Sequence, residues 1–163
     1  MPTTRPAPAA EVLETCACFS ARSAARAITT LYDDTLAAAG LRTTQLALLA
    51  AVDAARSPTM ADAAGELGLD PSTMTRTLQP LLRDGLVEIE RGAEDRRVRV
   101  LVLTRQGKRR LAEAGRLWRQ AQATLERQLG SERFERLVAD LDAVRRSLRE
   151  DNSQDRTTEV PSE

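Results

Sequence analysis

The chain has 163 residues, 42% of them hydrophobic and only 2% aromatic; this is enough to bury one core but short for two ordinary domains, and abundant Ala and Leu favour helices over a large β-sandwich. Histidine is absent, which removes the commonest general base, imidazole triads and every zinc site that needs His, so no enzyme, metal site or cofactor is expected. The formal charge of zero hides an uneven distribution: 91–110 carries eight basic residues against Glu94 and Asp95, while 151–163 carries four acids against Arg156.

Met1 to Ala10 is rich in Pro and Ala, with Arg5 and no apolar signal core. Residues 1–10 are expected to lack fixed structure, as is the acidic tail 151–163. No apolar run approaches the roughly 18–20 residues that span a bilayer, so the expectation is a cytoplasmic chain with no membrane partner and one compact domain over 11–150.

Leu13, Ala17, Ser20, Ala24, Ala27, Ile28 and Leu31 recur at helical spacing until Gly40, which predicts one long first helix over about 11–39. Thr43 is placed to cap a second helix carrying Leu46, Leu49, Ala50 and Val52, ending before Ser57 and Pro58. Thr59 and Asp62 have capping-box spacing and open a short third helix that stops at Gly68. Asp70 is a good N-cap with Pro71 at the first helical position, where a missing N–H costs nothing. The fourth helix that follows carries Met74, Leu78, Leu81 and Leu82 on one face, and Pro80 predicts a kink in it.

Residues 86–91 and 97–103 are rich in Val, Ile and Leu, with a turn through Gly92 to Asp95 between them, which predicts a β-hairpin. Thr104 then caps a long fifth helix with Leu111, Leu117, Trp118, Ala121 and Leu125. After Gly130, Ser131 opens a sixth with Phe134, Leu137, Leu141, Val144 and Leu148. Trp118 and Phe134 both fall on apolar helical faces and are read as core residues.

Two short helices joined through Gly68, Leu69 and Asp70, followed by a hairpin, form a winged helix-turn-helix pattern in which the second helix enters the DNA major groove and the hairpin is the wing. The fold class is therefore mainly α with a small β-hairpin wing, the winged helix spanning about 41–105. If the apolar face of the fourth helix points inward, Ser72, Thr73, Thr75, Arg76 and Gln79 face a partner. Free N–H groups at its start would attract a phosphate near Asp70 to Thr73. At the wing, Arg96, Arg97 and Arg99 suit a minor groove, with Asp95 read as orienting a neighbouring arginine. Thr43 completes the candidate DNA-binding set. The Leu-rich terminal helices, about 11–39 and 105–150, read as a dimer interface because one small winged domain cannot cover their apolar faces. The competing class is a winged-helix module that binds protein and not DNA.

From "LGLDPSTMTRTLQPLLRDGLVEIE" to "DRRVRVLVLTRQGKRRL", with an Asp-Arg-Arg wing followed by Leu-Thr-x-x-Gly, the chain resembles the MarR family of transcriptional regulators over about residues 13–150. The resemblance implies a homodimer whose first, fifth and sixth helices interlock, presenting two recognition helices to a palindromic double-stranded operator. It implies a regulator, a repressor in most such cases, released by a small phenolic or other anionic ligand or by an oxidant. The segment Leu13 to Phe19 is similar to that of the organic-hydroperoxide-sensing branch, where a reactive cysteine precedes a phenylalanine; Tyr32 falls where that branch has a cysteine-contacting tyrosine. Arg22 stands one turn from Cys18 on the same face. Cys18 and Tyr32 lie 14 residues apart on one helix, about 21 Å, and would meet only across a dimer. Cys16 and Cys18 thus have three readings: a sensor thiol, inert helix packing, or a soft-metal site such as Cu(I).

Overall fold

The structure, a computed structural model of the chain, describes residues 9–158. The elements in chain order are α1 (Ala9–Thr15), α2 (Ala17–Leu36), a 3-10 turn (Ala37–Ala39), α3 (Thr43–Ala55), α4 (Met60–Leu67), α5 (Pro71–Arg83), β1 (Val87–Arg91), β2 (Arg99–Leu103), α6 (Arg105–Leu129) and α7 (Ser131–Thr158). Where composition predicts one compact domain, the chain divides into two compact units, Met1–Ala121 and Gln122–Glu163, with the boundary inside α6. The expected unstructured ends lie outside the described residues at 1–8 and 159–163. Residues 151–158 instead continue α7, a stretch with neither Gly nor Pro to stop a helix.

The expected long first helix is broken at Cys16, whose backbone is extended (φ −72, ψ 109). Hydrogen bonding continues across the break, from Cys16 N–H to the Val12 carbonyl (3.2 Å) and from Ser20 N–H to the Cys16 carbonyl (3.0 Å). The Thr15 hydroxyl donates to the Glu11 carbonyl at 2.8 Å, the kind of side-chain competition for backbone acceptors that bends helices.

The core of the first unit is built around α3. Leu48, Leu49 and Val52 of α3 are buried together with Leu36, Met74, Leu81, Leu86, Val87 and Leu101. Leu48 lies outside the single apolar face predicted for this helix. α3 is instead buried on two sides, because α2, α4, α5 and β2 all pack against it, and a helix so enclosed loses the one-faced pattern. Its N-terminus is capped from another helix: the Thr43 N–H and hydroxyl both donate to Asp33 of α2 at 2.7 Å, so Thr43 is held by a cap and is not itself the cap. Burial alone would raise the Asp33 pKa, but these bonds and Arg42 hold it below its ordinary value.

In α5 the periodicity holds. Met74, Leu78 and Leu81 are buried and Leu82 is half-buried. The helix runs unbroken past Pro80 to Arg83; so near the C-terminus, proline forfeits only the bond to the Arg76 carbonyl. The strands pair antiparallel with Val87 opposite Leu103 and Arg91 opposite Arg99. Pro58 and Thr59 add a short third extended segment, with Leu101 N–H donating to the Pro58 carbonyl at 2.8 Å and Thr59 bridging Val100.

Candidate nucleic-acid interface

The turn between α4 and α5 is specified residue by residue. Thr59 and Asp62 form a reciprocal capping box, each side chain accepting the other's N–H at 3.1 Å, and α4 ends at left-handed Gly68 (φ 64). Asp70 then caps α5, accepting the N–H groups of Ser72 and Thr73 at 2.9 Å. It also accepts both hydroxyls at 2.6 Å. With the Ser72 hydroxyl bond the largest cause and those of Thr73 next, the Asp70 carboxyl is held far below the usual carboxylate range. This corrects the expectation of a phosphate seat at Asp70 to Thr73, since those N–H donors already serve a carboxylate that would repel a second anion.

Along the outward face of α5, Thr75 donates its hydroxyl to the Pro71 carbonyl at 2.8 Å. Arg76 reaches back to the Thr73 hydroxyl at 3.2 Å. The hydroxyl row therefore offers lone pairs, while Arg76 and Gln79 carry the donors left for a partner. Arg76, Gln79, Pro80 and Arg83 line an open cleft of about 410 Å³, and Arg83 is held by Asp84 at 2.8 Å. Thr43 is not brought to this face: it sits at the start of α3 against Asp33.

At the wing, Asp95 accepts the backbone N–H of Arg97 at 2.8 Å. The carboxylate therefore shapes the loop backbone and does not orient an arginine head, which corrects the expected role. The turn closes with Gly92 N–H to the Val98 carbonyl (2.9 Å) and Val98 N–H to the Asp95 carbonyl (3.1 Å). A β-carbon at Gly92 would stand 2.8 Å from the Asp95 carbonyl oxygen, so this turn admits glycine there. Arg96, Arg97 and Arg99 are exposed and, among the described residues, their side chains form no ion pair. Sequence reasoning missed Arg91, an exposed residue that the hairpin register sets opposite Arg99. Like charges directly opposite destabilise a strand pair, and an anion between them relieves the repulsion; the signal was the register implied by the Gly92 to Asp95 turn.

The Leu-Thr-x-x-Gly segment anchors the wing. Thr104 donates its N–H to the Leu86 carbonyl (3.1 Å) and its hydroxyl to the Gly85 carbonyl (2.7 Å), and accepts Gly107 N–H at 2.9 Å. A β-carbon on Gly107 would stand 2.0 Å from the Leu86 carbonyl oxygen, so glycine lets α6 start directly against the turn that leaves α5. The hairpin base is thereby tied to the recognition helix and α6 together, while its arginine-bearing tip projects.

A cavity of about 430 Å³, with no residue of α5 or the wing in its lining, is bounded by Tyr32 of α2, Thr43, Leu46, Ala47 and Ala50 of α3, and Leu111, Gly115 and Trp118 of α6. Trp118 is 41% exposed and lines this space, which corrects its reading as a core residue: helical periodicity marks a face that is covered or hollow without saying which. Tyr32 is buried, and burial pushes its phenol pKa up. Cys18 and Arg22 are exposed on α2, and Cys16 is half-buried at the helix break.

The model of the MarR family matches residues 39–98, the stretch from the end of the 3-10 turn to the wing loop, just short of β2. The solved structure of the M. tuberculosis transcriptional regulator MosR is similar at 33% identity and a TM-score of 0.70, covering 83% of this chain and 98% of that one. A structure of MosR in complex with DNA is similar at 36% identity and a TM-score of 0.68, covering 82% and 98%. The transcriptional repressor CouR, bound to a 23-mer DNA duplex, shares the fold at 23% identity and a TM-score of 0.75, covering 86% and 99%. No curated protein sequence matches the chain.

Proposed function

The chain belongs to the MarR family, and from that premise we propose that it is a cytoplasmic, sequence-specific, double-stranded DNA-binding repressor of transcription that acts as a homodimer and is released from its operator by a small molecule. The observation that carries this reading is the pairing of two exposed basic features on one rigid support: Arg76 and Gln79 on the outward face of α5, and Arg96 and Arg97 at the wing tip, joined through the Thr104 and Gly107 clasp. In this reading α5 enters the major groove, where Arg76 and Gln79 meet base edges. Arg96 and Arg97 reach the flanking minor groove, and Arg91 with Arg99 holds a phosphate at the last strand pair before the wing loop. Ser72, Thr73 and Thr75 serve as acceptors at the groove edge.

The homodimer is supported by apolar side chains left bare along α7: Val138, Leu141, Val144 and Leu148 are 51%, 51%, 56% and 63% exposed. Their spacing of three, three and four residues lines one face of the helix, and such a stripe calls for a partner surface. Val12, Leu13 and Phe19 are likewise exposed, and a second copy offers the same stripes by symmetry. The cavity beside Tyr32 and Trp118 is the candidate effector site.

The test is binding to duplex DNA across a salt series, followed by selection of bound fragments from random sequence. Affinity falling steeply with salt, together with an enriched palindrome, supports the reading. Salt-independent binding, or no enrichment, would reject it in favour of a protein-binding winged helix.

A further inference from the structure

We propose that the winged-helix part holds a second ligand site, one that takes a phosphomonoester of a small polyol, such as a sugar phosphate. The site is a polar cavity of about 460 Å³ between the end of α3, β2 and the first turn of α6, lined by Val52, Asp53, Arg56, Ser57, Val102, Leu103 and Lys108. It shares no lining residue with the cavity beside Tyr32 and Trp118. None of the seven belongs to the bare apolar stretches of α1, α2 and α7 that call for a second copy, so one chain supplies the site. The proposal rests on neither the DNA reading nor the effector cavity.

The backbone singles out Arg56 and Ser57. Among the described residues they are the only non-glycines with left-handed φ, at 50° and 77°, a region that contacts of the β-carbon disfavour. The reversal itself is needed, because it ends α3 and lays Pro58 against β2, where the Pro58 carbonyl accepts Leu101 N–H at 2.8 Å. Glycine would make the same reversal without strain, as it does at Gly40 and Gly68. What Arg and Ser add is their side chains, and both line the cavity.

Arg56 and Lys108 reach this space from different elements. Among the described residues neither forms an ion pair, and the Ser57 hydroxyl and Asp53 carboxylate have no hydrogen-bond partner. A guanidinium fork, an ammonium and a hydroxyl around one cavity are the donors that phosphate oxygens take. The carboxylate sets the rest of the ligand. It accepts hydrogen bonds and does not donate, so a bare oxyanion here faces a like charge, whereas hydroxyls beside a phosphate make Asp53 a partner. A DNA backbone phosphate brings no such hydroxyl. Val52 and Leu103 are buried and Val102 half-buried, which gives a carbon skeleton an apolar floor, and a volume of this order suits a small organic molecule.

The experiment titrates the full-length protein with glucose 6-phosphate, ribose 5-phosphate, glycerol 3-phosphate, inorganic phosphate and glucose. The pH is about 7.5, where a phosphomonoester is dianionic, and the ionic strength is fixed so that screening is equal. Binding is measured by calorimetry and by amide resonances. The expected result is that at least one ester binds saturably and tenfold or more tighter than inorganic phosphate or glucose. It should shift the amides of Ser57, Leu103 and Lys108 and leave the indole resonance of Trp118, the chain's one tryptophan, in place. Arg56→Gly should melt at or above the parent temperature, because it relieves the left-handed strain, and should lose at least tenfold in ester affinity. Lys108→Gln, at an exposed position, should also weaken the ester with the melting temperature unchanged. Asp53→Asn should narrow the preference for ester over inorganic phosphate. Inorganic phosphate binding as tightly as the best ester would reduce the cavity to a non-selective anion site and overturn the proposal. Failure of all three esters to bind, undiminished binding by Arg56→Gly and Lys108→Gln, or shifts confined to the surroundings of Trp118 would overturn it equally.

Discussion

The winged-helix part and the terminal helix α7 solve the problem of apolar surface in opposite ways. Around α3, Leu36, Leu48, Leu49, Met74, Leu81 and Leu101 disappear from solvent within one chain, and no partner is needed to complete that core. Along α7 the larger apolar side chains from Val138 to Leu148 stay half to two-thirds exposed. One region is stable by its own packing, and the other is stable in water when something covers it. A regulator that must present two identical heads at fixed spacing benefits from this division, because head geometry and head separation are then set by different contacts.

The comparison breaks most severely in the core. Leu49→Ala removes a fully buried side chain and should cost about 2–5 kcal/mol, a large part of a typical domain's stability, seen as a lowered unfolding midpoint in urea. Next, Leu141→Glu combined with Val144→Glu should leave that midpoint at low protein concentration nearly unchanged while converting dimer to monomer in sedimentation equilibrium. A double variant that remained dimeric would show that the α7 stripe is not the interface.

Within the winged helix, Arg76 and Arg97 sharpen the contrast between reading and holding. Arg76→Ala should cost about 1–3 kcal/mol on the preferred site and flatten base preference at one position, whereas Arg97→Ala should weaken all duplexes alike and reduce the salt slope. Equal losses on operator and random DNA for both variants would contradict that division.

The smallest effect belongs to the Asp70 cap. Its folded-state pKa is depressed, so the stabilisation it supplies is fully present above the unfolded value of about 3.9 and fades as pH falls toward the folded value. Asp70→Asn should leave the melting temperature at neutral pH within a few degrees of the parent. The parent should then lose more than the variant on acidification from about pH 5 to pH 2.5. Parallel melting curves across that range would show that the carboxylate contributes nothing beyond an amide.

Local signals were legible wherever a short-range rule decides the outcome. The Thr59 and Asp62 box, the Asp70 cap, the Gly40 and Gly68 stops, the hairpin and the inward face of α5 are all read from residues within four positions of one another. Where the reading departs from the structure, the deciding partner is usually distant in sequence. Asp33 lies ten residues from Thr43 and takes its cap, and Leu48 is buried because elements on two sides enclose α3. Trp118 faces a hollow because Tyr32 and Leu46 stand back from it. Asp95 was assigned the right loop and the wrong task, since composition does not distinguish a bond to a backbone N–H from one to a guanidinium.

Sequence alone therefore determined the helical class, the order of elements, the turn chemistry and the basic wing, because each follows from periodicity, capping and charge counted along the chain. Tertiary structure decided which apolar faces are closed and which stay open, and which polar groups are already spent. Those depend on what lies across a gap, and separation along the chain does not encode proximity in space.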